Sequence, residues 1–267
     1  MPALIEPNAL SQRLDDPRLL VVCVASAASY ASGHVPGAVL VTPNELVSGV
    51  APATGTLPSH ERLTTLFDRI GYAPSLDVVA YDDEGGGWAG RFLWTLDVIG
   101  HREWRYLDGG IHAWRAEGLP VETRTVARSP TSNRLALDAA PQADAAELIR
   151  RQGDADLLVW DCRSREEYLG LKSGARRAGH IPGAVNLDWL DLMDRSRALR
   201  LRTDLAALLA RSGIDAQRDV VTHCQTHHRS GLSYLAARLL GFPRIRAYAG
   251  SWSEWGNRDD TPVATGA

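Results

Sequence analysis

The heptapeptide GHVPGAV, Gly33 to Val39, returns 146 positions later as GHIPGAV, Gly179 to Val185. Pro-Gly is a turn-forming pair, and its recurrence inside a longer matching stretch is the mark of an internal duplication. Upstream, LLVVCVA from Leu19 matches LLVWDCR from Leu157, and each has a tyrosine, Tyr30 or Tyr168, seven residues after the aligned Cys23 and Asp161. That spacing is 138 rather than 146, so the second copy carries an eight-residue insertion at about GLKSGARR, Gly170 to Arg177. Downstream, DVVAYDD from Asp77 aligns with DVVTHCQ from Asp219, and Gly90, Gly100 and Trp114 align with Gly231, Gly241 and Trp255. Matches in order along most of each half argue for two similar domains in tandem and against a repeat folded within one domain.

Between the copies, Val121 to Leu137 contains ETRTVARSPTSNR, which is polar and has no hydrophobic period. It reads as an exposed connector. The boundary falls near Leu135, giving domains over 1–125 and 139–267 joined by a linker over 126–138. Each half alternates short apolar runs with amphipathic patterns. Leu157 to Trp160 and Asp219 to Thr222 read as buried strands of a parallel sheet. From Asp204 to Ala210, Leu205, Leu208 and Leu209 share one helical face, with Thr203 as N-cap. After Arg229, Leu232, Leu235, Ala236, Leu239 and Leu240 keep the helical spacing until Gly241 stops it. The fold class is therefore α/β, with two similar domains, each an open, mostly parallel sheet flanked by helices.

The 267 residues include 45% hydrophobic and 23% charged side chains, which suits packed cores and excludes disordered, collagen-like and coiled-coil chains. With 29 Lys and Arg against 32 Asp and Glu, no global field favours nucleic acid or anionic lipid. The start lacks a basic segment leading into an apolar run, and no stretch has the length of a membrane span. A cytoplasmic monomer that binds neither nucleic acid nor membrane is the expectation. Cys23, Cys162 and Cys224 cannot all pair and form no CxxC, so reduced thiols are expected.

One of these thiols stands apart. Val220 to Gly231 reads VVTHCQTHHRSG, which places Cys224 just past a buried strand and just before a helix. Open α/β sheets bind their ligands there, and loop N–H groups with the helix dipole favour a thiolate. Cys23 and Cys162 lie in apolar runs and read as small buried hydrophobes. Metal binding by His223, Cys224, His227 and His228 is the competing reading, but adjacent side chains do not readily converge on one ion, so no metal is expected. Cys224 and Arg229 bound a six-residue loop comprising Gln225, Thr226, His227 and His228. Cysteine phosphatases place their arginine one residue further on, and the shorter loop suits a smaller anion, such as one sulfur held as a persulfide.

The paired domains, the GHIPGAV element, DCRSREEY after the strand, the AGSWSEW end and the cysteine loop together resemble the tandem-domain rhodanese family, the thiosulfate and 3-mercaptopyruvate sulfurtransferases. The loop is similar to that of a bacterial subgroup with CQTHHR at the site. The resemblance implies a nucleophile at Cys224 and an anion-assisting arginine at Arg163, with Gln225, Thr226, His227, His228 and Arg229 around the donor. It further implies double displacement through a Cys224 persulfide, with no metal or organic cofactor. The partners would be a small anionic sulfur donor, thiosulfate before 3-mercaptopyruvate, and a thiophilic acceptor such as cyanide. A sulfur carrier that hands its persulfide to a partner protein is the alternative. In the first half Asp82 stands at the cysteine position, so that half is silent. Its loop is one residue longer and is not expected to present converging N–H groups. His34 and His180 recur in both halves, which favours a turn-forming role, and Trp104, Trp114, Trp252 and Trp255 are expected in core and interdomain contacts. Protonation of His227 and His228 would add positive charge near the histidine pKa of about 6.5.

Overall fold

The computed structural model describes residues 3–266. The first sheet contains β1 (Ala3–Ile5), β2 (Leu19–Val24), β3 (Val39–Val41), β4 (Asp77–Asp82) and β5 (Trp104–Leu107) in the order β1-β5-β4-β2-β3. The second half has β6 (Gln142–Ala143), β7 (Leu157–Asp161), β8 (Val185–Asn186), a small antiparallel pair β9 (Met193–Asp194) and β10 (Arg200–Leu201), then β11 (Asp219–His223) and β12 (Ile245–Tyr248). Its sheet order, β6-β12-β11-β7-β8, repeats that of the first. All pairings within the two large sheets are parallel, and the register repeats: Asp77 lies opposite Leu19 as Asp219 lies opposite Leu157.

Side chains alternate across a strand, and here that alternation sorts the core into three layers. Leu20, Val22, Val78 and Ala80 join Leu158, Trp160 and Val220 in one central layer that spans both domains. Leu19, Val21, Val79 and Tyr81 face an outer layer of the first domain, and Leu157, Val159 and Val221 face an outer layer of the second. Counting on from Ala80 and Val220, the same parity sends Asp82 and Cys224 toward the interdomain side.

The helices Gly87–Val98 and Arg229–Leu239 form the middle of the central layer. They touch backbone to backbone. A Cβ on Gly90 would lie 2.3 Å from the Gly231 carbonyl oxygen, and one on Gly231 would lie 2.5 Å from the Gly87 carbonyl oxygen. Polar contacts fix the crossing: Asp97 accepts from Tyr234 Oη at 2.7 Å and Arg238 Nε at 2.9 Å, and Trp94 Nε1 donates to the Pro141 carbonyl.

Trp104 lies in the central layer, whereas Trp114, Trp252 and Trp255 belong to the outer layers of their own domains. Trp88 and Trp94 reach across the interface, to His228 and His227. The helix expected after Thr203 begins with Asp204 at its N-cap, whose carboxylate is drawn away from the helix by Arg202 and Arg211. The connector is fastened to the first domain, with Asn133 on Asp68 and Thr131 on the Tyr72 carbonyl. In both halves the GH element pairs with a later segment, His34 with Glu122 and His180 with Ala264. Each imidazole stacks on a tyrosine, Tyr30 or Tyr168, and bonds that tyrosine's carbonyl. The turn-building reading of these histidines accords with that geometry.

Candidate active site

Cys224 is the first residue beyond β11, and the loop closes at His228, the N-cap of the Arg229–Leu239 helix. His227 adopts φ +53°, a left-handed conformation that costs an L-residue about 1–2 kcal/mol. Ser251 holds it there. The Ser251 Oγ accepts from His227 N at 3.0 Å and from Cys224 N at 3.4 Å while donating to the Tyr248 carbonyl. Trp252 N and Ser253 N donate to the carbonyls of Cys224 and Gln225, both at 2.9 Å. The AGSWSEW segment is thus the platform beneath the loop.

The Cys224 sulfur is buried and meets the first turn of the following helix through the Ser230 N–H and hydroxyl. Burial works against its ionisation, but Arg229, the two Ser230 donors and His228 outweigh it and hold the thiol below its ordinary pKa. The other thiols move the opposite way: burial pushes Cys23 up to about 12 and Cys162 well above its usual value. Cys224 alone therefore has the environment of a nucleophile.

Arg229 is clamped by Glu167, with Nη1 to Oε2 at 2.6 Å and Nη2 to Oε1 at 2.8 Å. His228 stacks on Trp88 of the first domain, ring centroids 4.3 Å apart, and its Nε2 meets Glu84. Gln225 reaches the inserted segment, donating to the Gly174 carbonyl at 3.3 Å. The Thr226 carbonyl packs so tightly on Gly55 of the first domain that a Cβ there would sit 2.2 Å away.

Arg163 is wholly buried, bound to both Asp161 oxygens and the Gly179 carbonyl, with its guanidinium 4.3 Å from the Trp252 ring centre, and its Nη1 is left without a partner. Its position two residues after Asp161 lets the two pair at the strand end. His227 is no source of positive charge, because burial first, and then the nearby charges of Arg91 and His228, push its pKa well below the usual value. Its Nδ1 lies 2.7 Å from Ser230 Oγ and its ring meets Trp94 edge-on. The imidazoles of the rival metal reading diverge, with His223 turned to Asp161, His227 to Ser230 and His228 to Glu84.

The loop at Asp82 corrects a further expectation. Its N–H groups do converge, and they converge on Asp82. Oδ1 accepts from Glu84, Gly85 and Gly86 at 3.2, 3.1 and 2.8 Å, and Oδ2 accepts from Ala89 at 2.9 Å. Ala89 is the counterpart of Ser230, so the same backbone donor serves a carboxylate in one half and a thiol in the other. Sequence reading missed Ser230, Ser251, Glu167 and all contributors from the first domain. Ser230 was within reach, as the residue directly after the loop arginine.

Two parallel α/β domains that share a core layer, with one low-pKa cysteine cradled at a strand-to-helix loop, define a protein built for thiolate chemistry on a small anion. The chain belongs to the Rhodanese-like domain family, whose model matches twice, over residues 6–117 and 144–258. It is 52% identical to a thiosulfate sulfurtransferase of Azotobacter vinelandii and 50% identical to one of Pseudomonas aeruginosa, each over 98% of this chain and 97% of the relative. A sulfur carrier protein of Thermus thermophilus, TtuD, is 31% identical over 98% of this chain and 96% of its own.

Proposed function

We propose that this chain is a thiosulfate sulfurtransferase that works by double displacement on Cys224. The observation that carries the mechanism is the buried loop thiol that meets the Ser230 N–H and hydroxyl at the start of the following helix, beside Arg229, where it is held below its ordinary pKa. The Cys224 thiolate forms a bond to the outer sulfur of thiosulfate. The thiosulfate S–S bond breaks, and its electron pair leaves with sulfite. One negative charge stands on residue 224 before the step and one on the terminal persulfide sulfur after it. Cyanide or a thiol then takes that sulfur and returns the thiolate, so one difficult transfer becomes two easier ones. Arg229, fixed by Glu167, and the Ser230 donors bind an anion at this spot in both half-reactions.

No step calls for a metal or organic cofactor. Among the described residues no helix is long and apolar enough to cross a membrane. Three unpaired cysteines suit a reducing compartment, which supports a place in the cytoplasm, and we take the working unit to be a monomer. A carrier role, in which a protein thiol is the physiological acceptor, is the second reading, favoured by the likeness to TtuD. Intact-mass measurement after incubation with thiosulfate is expected to show one added sulfur, removed by cyanide and absent in Cys224→Ser. An unloaded wild-type chain would overturn the proposal. A loaded chain that discharges to a protein thiol but not to cyanide would favour the carrier.

A further inference from the structure

Cys162 has no part in the sulfur transfer, yet the fold sets it beside the cysteine that does. The strands β7 and β11 are parallel neighbours, with Leu158 opposite Val220, Trp160 opposite Thr222 and Asp161 opposite His223. The pairing holds one step further, because Cys162 N donates to the His223 carbonyl at 2.9 Å, a bond that continues the parallel ladder. Cys162 and Cys224 are the next opposed pair, each the first residue beyond its strand.

Parity along the strands decides which way the two sulfurs point. Leu158, Trp160 and Cys162 share one face, Val220 and Cys224 share the matching one, and all five belong to the central layer. The following helix marks the same placement: Ser230 acts on Cys224, and Ser233, its neighbour three residues on, acts on Cys162. Adjacent strands lie about 4.7–4.9 Å apart, inside the roughly 4.4–6.8 Å between Cα atoms that a disulfide spans. Cys23, by contrast, faces the outer layer of the first domain.

We propose that Cys162 and Cys224 form a redox-modification site that takes a hydroperoxide as oxidant and closes to an intramolecular disulfide. The Cys224 thiolate bonds to one peroxide oxygen, the O–O bond breaks, and the departing oxygen takes up a proton, leaving a sulfenic acid on residue 224. The Cys162 sulfur then bonds to the Cys224 sulfur, the S–O bond breaks, and its electron pair leaves with hydroxide, which takes the Cys162 proton and departs as water. The two thiols lose two electrons and the peroxide gains them. In the resting site Cys162 donates its S–H to the Trp160 carbonyl at 3.4 Å and burial keeps it protonated, so it stays out of sulfur transfer and acts only once sulfur 224 is an electrophile. The bond silences the nucleophile and shields it from the irreversible sulfinic and sulfonic states. The inference rests on the Cys224 thiolate of the proposed function and is indifferent to the sulfur donor.

The test uses the full chain, freed of bound sulfur with cyanide and then treated with hydrogen peroxide, in wild type, Cys23→Ser, Cys162→Ala and Cys162→Ser. Wild type and Cys23→Ser are expected to lose two hydrogens by intact mass and to yield, on digestion without reductant, a peptide pair joining residues 162 and 224. Dithiothreitol is then expected to restore their activity in full. Both Cys162 variants are expected to gain oxygens on residue 224 instead and, after excess peroxide, to recover little activity. Wild type that gains oxygens and gives no 162–224 peptide pair would overturn the inference, as would a Cys162 variant that recovers like wild type. The peptide pair is read in wild type, so the test survives a variant that does not fold. A chain that loads sulfur from thiosulfate but forms no pair fails this inference alone, and one that forms the pair but loads no sulfur fails the proposed function alone.

Discussion

Ser251 offers the sharpest test of how the loop is held. It has φ +53°, and its counterpart in the first half, Gly110, has φ +55°. The first half thus uses glycine where the second accepts a strained serine, and the gain is the hydroxyl that receives His227 N at 3.0 Å and Cys224 N at 3.4 Å. In Ser251→Ala the strain stays and the acceptor goes. The His227 N–H is left buried without a partner, at about 1–3 kcal/mol, and the longer Cys224 contact and the Tyr248 carbonyl add less, for a total of roughly 2–4 kcal/mol. For a chain of this size that corresponds to a Tm lowered by roughly 5–15 °C. Ser251→Gly loses the same bonds but recovers about 1 kcal/mol, because glycine adopts positive φ freely. The expected order of melting temperature is therefore wild type, Gly, Ala, by calorimetry. Sulfur loading from thiosulfate is expected to fall alike in both variants, since both free the loop. An alanine variant that melts with wild type, or a glycine variant less stable than alanine, would refute the reasoning.

Other outcomes follow from the same geometry. Cys224→Ser should fold and carry no sulfur, while Cys23→Ser and Cys162→Ser keep most of the activity in a cyanide assay. Because the folded pKa of Cys224 is depressed, the thiolate's stabilisation is fully present above the unfolded value of about 8.5 and is lost as pH falls through the folded one. Wild type should accordingly gain on Cys224→Ser in thermal stability as pH rises toward 8.5, and a constant difference would contradict the depressed value. Arg163→Ala should cost about 3–5 kcal/mol by leaving Asp161 buried without its partner; an unchanged Tm with a raised KM for thiosulfate would restore Arg163 to donor binding. Asp82→Cys should take up no second sulfur, although its N–H cradle is formed. Trp88 stands where the second half has Arg229, and Glu84 lies beside the loop, so a thiolate there lacks a cation. Two added sulfurs per chain would show the cradle to be sufficient.

The duplicated fold was legible because both copies retain the same strand and turn chemistry, down to the Gly90 and Gly231 alignment. Cys224 was legible because a thiol in a polar loop after an apolar strand has few structural uses. The surroundings of Arg163 were not legible: it stands two residues beyond the strand, and only the fold reveals that Asp161, Gly179 and Trp252 enclose it. The same holds for His227, whose charge depends on burial beneath Trp94 and Arg91 that no local pattern announces. Glu84, which meets His228, and Arg91, which holds the Gly55 carbonyl beside Thr226, lie more than 130 positions from the loop they adjoin, and nothing in a linear reading joins residues across a domain interface.

The contact of Gly90 with Gly231 has a meaning of its own. In a two-fold dimer a residue on the axis meets its own copy, and here two aligned glycines meet within one chain. The molecule is in effect a dimer tied into a single strand, with its quasi-axis running between the Asp82 and Cys224 loops. A true dimer must give both loops the same residues, so any change on one side of the axis is made on both. Fusion removes that constraint: one loop can fill its own anion cradle with a carboxylate and lend Glu84, Trp88 and Arg91 to its twin, an inequality that identical subunits cannot encode.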